Sequence, residues 1–231
     1  EIWEQLFPQL YLSRKVLPNS HGFGKYRGGS GWQSCLMTHR SNQLVLTTEL
    51  CQARAFDHQG VFGGYPGKIH YIYLLTDTDI KQRIANQDEL PTGEGNNPLD
   101  PEITKLLGGN CQITHGNMTA AKPMKEGDVL LMQYRGMGGF GDPLERNPTM
   151  IETDLENGIV TPVMVEKICG VVVEQNKTGD RLTISVDKTK ARRQSLRNAR
   201  KTKGIPAKEW MKQQRERIKA YDLPDVTLEI F

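Results

Sequence analysis

The sequence predicts an α+β fold: a glycine-rich, mostly antiparallel β core carrying short helices, followed by a basic helical tail. Three observations predict it. Apolar and polar residues alternate over short segments bounded by turn residues, which is strand patterning. Gly accounts for 23 of 231 residues, above the usual share of about 7%, so turns are frequent and strands short. No regular alternation of strand and helix runs along the chain, which argues against a parallel sheet built on crossover helices.

The elements follow in order. Trp3-Glu4-Gln5-Leu6-Phe7 allows one helical turn before Pro8. After the turn Arg27-Gly28-Gly29-Ser30-Gly31, the alternating segments Gln33 to Arg40 and Gln43 to Cys51 read as a hairpin joined at Ser41-Asn42. Phe62 to Gly67 is a second punctuated turn, leading into a strand over Lys68 to Leu75. Residues 86–98 are polar and read as a surface loop. Asp100-Pro101 offers a helix start that Gly108-Gly109 closes. Lys125-Glu126-Gly127-Asp128 turns into a strand over Val129 to Tyr134, and the densest glycine cluster follows, Gly136 to Gly141. Asn147-Pro148 and Thr161-Pro162 each start a helix, ended by Gly158 and Gly170. Val171 to Val173 and Leu182 to Val186 pair across a turn at Asn176 to Asp180. The tail is helical over Ala191 to Lys201 and Lys208 to Tyr221, broken at Gly204 and Pro206.

Charge divides the chain at the same place. Residues 188–219 hold thirteen Lys and Arg against two acids, a net of +11, while the remainder carries 17 basic and 25 acidic side chains, a net of −8. We therefore expect two parts, 1–187 and a basic helical tail over 188–231. The tail's only aromatics in its basic stretch and just beyond are Trp210 and Tyr221, and it has no nucleic-acid recognition signature. Attraction to an acidic protein surface explains the asymmetry, so no nucleic-acid partner is expected. With a mean hydropathy of −0.55 and no apolar run beyond about five residues, the chain lacks the roughly 20 apolar residues of a spanning helix. No membrane partner and a cytoplasmic location are expected. The first residue is Glu1 without a signal-peptide pattern, so the chain reads as a piece of a longer one.

Site chemistry is sparse. Cys35, Cys51, Cys111 and Cys169 are never closer than 16 residues and read as reduced thiols rather than zinc ligands. The five histidines form no ligand spacing, so no metal site is expected. His58 and His115, both beside turns, are the candidate catalytic histidines. Gly138, Gly139 and Gly141 are candidates for contacting a cofactor, because bare backbone N–H groups can converge on an anion. Against that, neither glycine loop is followed by the Gly-Lys-Ser/Thr or the direct helix of a nucleotide motif, and a need for positive φ or close packing explains the glycines without a ligand.

Longer phrases carry a resemblance. Gly24-Lys25-Tyr26-Arg27-Gly28-Gly29-Ser30-Gly31 resembles the G-x-Y-R-G-G-x-G segment of the hydantoinase B and 5-oxoprolinase family. Gly138-Gly139-Phe140-Gly141-Asp142-Pro143-Leu144-Glu145-Arg146-Asn147-Pro148 resembles its G-G-G-x-G-D-P-x-x-R-D-P segment. Lys122 to Asp128 is similar to the turn before that loop, and Gly170 to Val173 to its closing strand. The lysine-rich tail and Glu209-Trp210 resemble the acetone carboxylase α-subunit branch, whose C-terminal part contains these phrases. The resemblance implies ATP-dependent carboxylation of acetone by bicarbonate to acetoacetate, in a complex with other carboxylase subunits. It implies ATP and a divalent metal, manganese, for that complex, with ligands upstream of Glu1 and none within this chain. By itself the chain is then expected to be inactive. ATP-dependent hydrolysis of a cyclic amide, and a non-catalytic assembly module, are the alternatives.

Overall fold

The fold is described from a computed structural model, covering residues 2–45, 58–90, 102–115, 123–176, 179 and 181–220. Its centre is a five-stranded antiparallel sheet. The strands are β1 (Gln9–Val16), β2 (Trp32–Thr38), β4 (Tyr71–Thr76), β5 (Asn110–His115) and β7 (Val129–Gln133), in spatial order β1-β2-β7-β4-β5. β3 (Leu44–Val45) and β6 (Pro123–Met124) form a separate two-stranded ribbon. The sheet is mixed in sequence order yet wholly antiparallel in direction, the α+β arrangement that the patterning predicts.

Both faces of the sheet are covered. Cys35, Met37, Tyr73, Leu75, Val129 and Leu131 point to one side, where they meet Ile80 of α2 (Ile80–Asn86), Ile103 of α3 (Ile103–Leu106) and Leu107. Leu36, Ile72, Leu74, Leu130 and Met132 point to the other, against Leu44 and Met124 of the ribbon. β7 has both neighbours and both faces occupied, so every one of its residues is buried. The turn feeding β7 is held by Asp128, whose carboxylate accepts from Lys125 N at 2.7 Å, with Gly127 at φ +87°.

One expected pairing is corrected. The segment after Ser41-Asn42 does not fold back on β2; its described part, β3, pairs with β6. β2 already exchanges hydrogen bonds with β1 on one edge and β7 on the other, so no edge remains for a hairpin partner. Arg40 at φ +56° and the Ser41 hydroxyl, donating to Gln43 O at 2.8 Å, turn the chain out of the sheet. Residues 46–51 lie outside the described residues, as do 91–98 and Asp100-Pro101.

A second core holds the C-terminal half. α4 (Pro148–Glu156) starts at Asn147, whose side chain accepts from Thr149 N at 3.0 Å, and Gly158 follows at φ +65°. α5 (Pro162–Ile168) follows Thr161, and Gly170 at φ +62° ends that region. Ile151, Leu155, Val160, Val165, Cys169 and Val171 pack with Phe23 and with Ile184. Ile184 belongs to a hairpin of β8 (Val173–Gln175) and β9 (Leu182–Ile184). The first strand begins two residues later than Val171, because Val171 is buried as core and Val172 N is taken by the Thr189 hydroxyl at 3.0 Å.

The tail forms α6 (Val186–Lys203) and α7 (Ala207–Lys219). α6 begins five residues earlier than expected, since Thr189 and Arg193 on its first turns are buried against the body of the chain. α7 buries none of its residues. α1 (Ile2–Leu6) is the single turn before Pro8.

Candidate functional site

The glycine phrases meet in space. Segments 20–31, 58–68 and 134–142 run against each other, with Gly22 N donating to Met137 O at 2.7 Å, Tyr65 N to Phe23 O at 2.7 Å and Gly139 N to Tyr65 O at 2.9 Å. A Cβ on Gly138 would stand 2.1 Å from Gln59 O, and one on Gly139 2.4 Å from Phe23 O. Neighbouring carbonyls fill the space that any side chain needs. Gly141 sits at φ +76° and donates to Val61 O at 2.9 Å. The N–H groups of Gly139 and Gly141 are therefore spent on carbonyls inside the protein, a geometry for backbone packing. His58 borders this core: its carbonyl accepts from Gly67 N at 3.2 Å and lies 2.8 Å from the place of a Gly138 Cβ.

The two long motif phrases converge on a carboxylate that sequence reasoning missed. Arg27 Nε donates to Asp154 Oδ1 at 3.0 Å and Arg146 Nη2 to Asp154 Oδ2 at 2.6 Å. Both oxygens of one buried carboxylate are thus clamped by the arginines of the two phrases. An open cleft of about 410 Å³ lies beside them, lined by Tyr26, Arg27, Arg146, Met150, Thr153 and Asp154. Behind it His21 is buried, with Nδ1 3.5 Å from Ser30 Oγ. Burial, then the Arg27 cation, hold that imidazole down to about 4. The signal for Asp154 was available only as one acid on the α4 face, three residues after Ile151.

α6 locks the same loop from outside. Arg193 donates to the carbonyls of Cys169 and Arg146, each at 2.9 Å, Arg197 to Leu144 O at 3.2 Å, and Arg200 to both oxygens of Asp142 at 2.9 Å. These positions recur at spacings of four and three, one helical face. Asp142 also caps the following turn by accepting from Leu144 N at 2.9 Å.

A third constellation lies at one end of the central sheet. The strand registers place Lys15, Gln33, Gln133, Tyr71 and His115 in one row across β1, β2, β7, β4 and β5. Gln33 and Gln133 are buried, and Gln133 Nε2 donates to Gln33 Oε1 at 3.4 Å. Lys68 reaches into the row, donating to Gln133 Oε1 at 2.6 Å. Its burial pushes the ammonium down to about 8. Burial also raises the Tyr71 phenol. Apolar pairs would pack at these positions without a desolvation cost, so a row of amides and amines here marks a candidate site. The backbone of His115 falls in this row by strand register, and His58 borders the glycine core. Lys68 and the glutamines were not singled out from the sequence, because Gln33 and Gln133 are 100 residues apart and only strand pairing joins them. On the sheet's opposite face, His70 packs against the Tyr134 ring at 5.0 Å, and burial holds it down to about 4.

The implied metal and nucleotide do not fit these residues. Among the described residues no three His, Cys, Asp or Glu side chains gather to hold a metal ion. Of the three described thiols, Cys111 is exposed, while Cys35 and Cys169 are buried and burial pushes them up to about 12 and about 11, the range of unreactive thiols.

With fold and sites in place, the chain's kinship is plain. A profile of the hydantoinase B/oxoprolinase family matches residues 1–143. The chain belongs to that family, a family that includes ATP-dependent enzymes. It is 34% identical over 226 residues to the acetone carboxylase α subunit of Xanthobacter autotrophicus, covering 96% of this chain and 28% of that one. It is 29% identical over 220 residues to the acetophenone carboxylase δ subunit of Aromatoleum aromaticum, covering 91% of this chain and 30% of that one. A nucleotide-free acetone carboxylase structure superposes with a TM-score of 0.80 at 32% identity, over 96% of this chain and 29% of that one. An ATP-dependent caprolactamase from Pseudomonas jessenii shares the fold, with a TM-score of 0.57 at 19% identity over 83% of this chain and 27% of that one. The chain spans less than a third of the length of these relatives. Among the described residues no helix is long and apolar enough to cross a membrane.

Proposed function

We propose that the chain is a domain of a subunit of an ATP-dependent ketone carboxylase that makes acetoacetate from acetone and bicarbonate. The observation that carries this reading is likeness over nearly the whole chain, 96%, to an acetone carboxylase α subunit in sequence and in structure. Acetone rather than an aryl ketone is the substrate of this reading because identity to the acetone enzyme, 34%, exceeds that to the acetophenone enzyme, 29%. The amide hydrolase alternative is supported by the family match and by the shared fold.

In this reading the glycine core and the clamped Asp154 give the subunit a rigid wall, and α6 holds the loop 142–146 in place. Manganese and ATP are held elsewhere in the complex, so no chemical step is assigned to residues of this chain, and the chain alone turns nothing over. Other carboxylase subunits are its partners in a cytoplasmic hetero-oligomer. The domain division is 1–187 and 188–231. The test is a coupled assay on the complete complex. Bicarbonate-dependent ATP consumption with acetone supports the reading. Consumption with a hydantoin or lactam and no bicarbonate requirement selects the hydrolase instead.

A further inference from the structure

Among the described residues, no carboxylate balances the Lys68 cation. Its ammonium donates to the Gln133 side-chain oxygen at 2.6 Å and lies 5.4 Å from the centre of the Tyr71 ring. Burial pushes its ammonium down to about 8. The residues around it in the sheet row are Gln33, Gln133 and Tyr71, with Lys15 further along; none is an acid. A site made of amines, amides and a phenol, without an acid, is built for a negative charge. Yet Gln33 and Gln133 are fully covered, which leaves little room for a bulky anion. A negative charge generated on the lysine itself, from a small neutral reactant, satisfies both constraints.

We propose that Lys68 captures carbon dioxide as a carbamate. The lone pair of the neutral Nζ attacks the carbon of carbon dioxide and forms a C–N bond. One C=O π bond opens onto oxygen, and the displaced Nζ proton goes to water or bicarbonate, leaving –NH–COO⁻. The charge at this position changes from +1 to −1. Gln133, which accepts from the ammonium, turns its amide over to donate Nε2–H to the new carboxylate, and Gln33 turns with it so that its Nε2–H meets the Gln133 oxygen. The depressed ammonium keeps a large neutral fraction available near neutral pH, where exposed lysines are almost wholly protonated. The inference rests on the polar row and stands whether or not the carboxylase reading does.

The test uses the full-length subunit in its complex, with ¹³C-bicarbonate as the probe. After equilibration at about pH 7.5, carbamates are trapped by O-ethylation and located by peptide mass spectrometry. The expected result is labelling at Lys68 roughly tenfold or more above that at exposed Lys81 and Lys212, the ratio set by their neutral fractions. Lys68→Arg keeps the cation and the bond to Gln133 and should abolish the trapped adduct and its ¹³C carbonyl resonance. Gln133→Glu places a carboxylate against the amine, raises its proton affinity and should suppress labelling in a folded protein. Labelling at Lys68 no greater than at the exposed lysines, or a ¹³C signal unchanged in Lys68→Arg, overturns the proposal.

Discussion

Arg146 and Asp154 form a buried ion pair, Nη2 to Oδ2 at 2.6 Å, with side chains 5% and 8% exposed. Arg27 completes it from another segment, 127 residues away in sequence from Asp154. The pair ties the glycine core to α4 and so to the second hydrophobic core. Its energetic weight lies in what happens when one partner goes: two guanidiniums would be left sharing a desolvated site with no anion.

Asp154→Ala should therefore destabilise the protein by roughly 3–5 kcal/mol, read as a shift in the chemical denaturation midpoint. Arg27→Ala should cost less, because Arg27 is 29% exposed and Arg146 still holds the carboxylate. Equal small effects from both substitutions would show that the clamp is not the link between the cores.

The glycines separate by environment. Gly138→Ala and Gly139→Ala drive a methyl into backbone carbonyls at 2.1 and 2.4 Å, which cannot move without breaking the three-segment core; the loss should be on the order of 3 kcal/mol or more. Gly158→Ala meets nothing within 4 Å and carries only the φ of +65°, so about 1 kcal/mol is expected. Soluble yield and denaturation midpoints of the three variants check the order.

Acid should unfold the protein through His21 and His70. Both are buried and held down to about 4 from 6.5, so between those values the unfolded chain binds more protons than the folded one. Stability is full above about pH 6.5 and falls as pH drops toward 4, by ~1.4 kcal/mol per pH unit for each histidine. His21→Gln and His70→Gln should each flatten that slope by about one histidine's share in denaturation series across the window. A slope unchanged in both variants would refute the assignment.

The two tail helices should behave differently. Arg193→Ala leaves the carbonyls of Cys169 and Arg146 without their donor and should cost about 1–3 kcal/mol. Removing 204–231 should cost no stability through α7, since α7 buries none of its residues. Trp210, Met211 and Ile218 of α7 are exposed beside Lys208, Lys212, Arg215 and Lys219, so the same truncation should weaken association with partner subunits in sedimentation. Salt-steep binding to duplex DNA, with assembly unaffected by the truncation, would assign the helix to nucleic acid instead.

Much of the fold was legible because its signals are local. Asn147 and Pro148 start α4, Gly158 and Gly170 break their segments with positive φ, and Val129 to Tyr134 reads as a strand, observed over Val129–Gln133. Each follows from the conformational preferences of a few adjacent residues. The glycine-rich phrases likewise pointed to close packing and positive φ, as at Gly141. The hairpin at Ser41-Asn42 failed for a non-local reason: its turn chemistry was sound, and both edges of β2 were already occupied by strands that begin 23 residues earlier and 97 residues later.

The sequence by itself determined the antiparallel α+β class, the glycine punctuation, the helix starts and the division of charge, all properties of neighbouring residues. Only the tertiary structure decided that Arg27 and Arg146 share Asp154, that α6 lays Arg193, Arg197 and Arg200 on the loop 142–146, and that Lys68 meets Gln133 in a row reaching to His115. Those sites depend on strand register and on which segments bury one another, and hydrophobic burial is non-directional. The free energy that brings such groups together comes from surfaces far from the groups themselves.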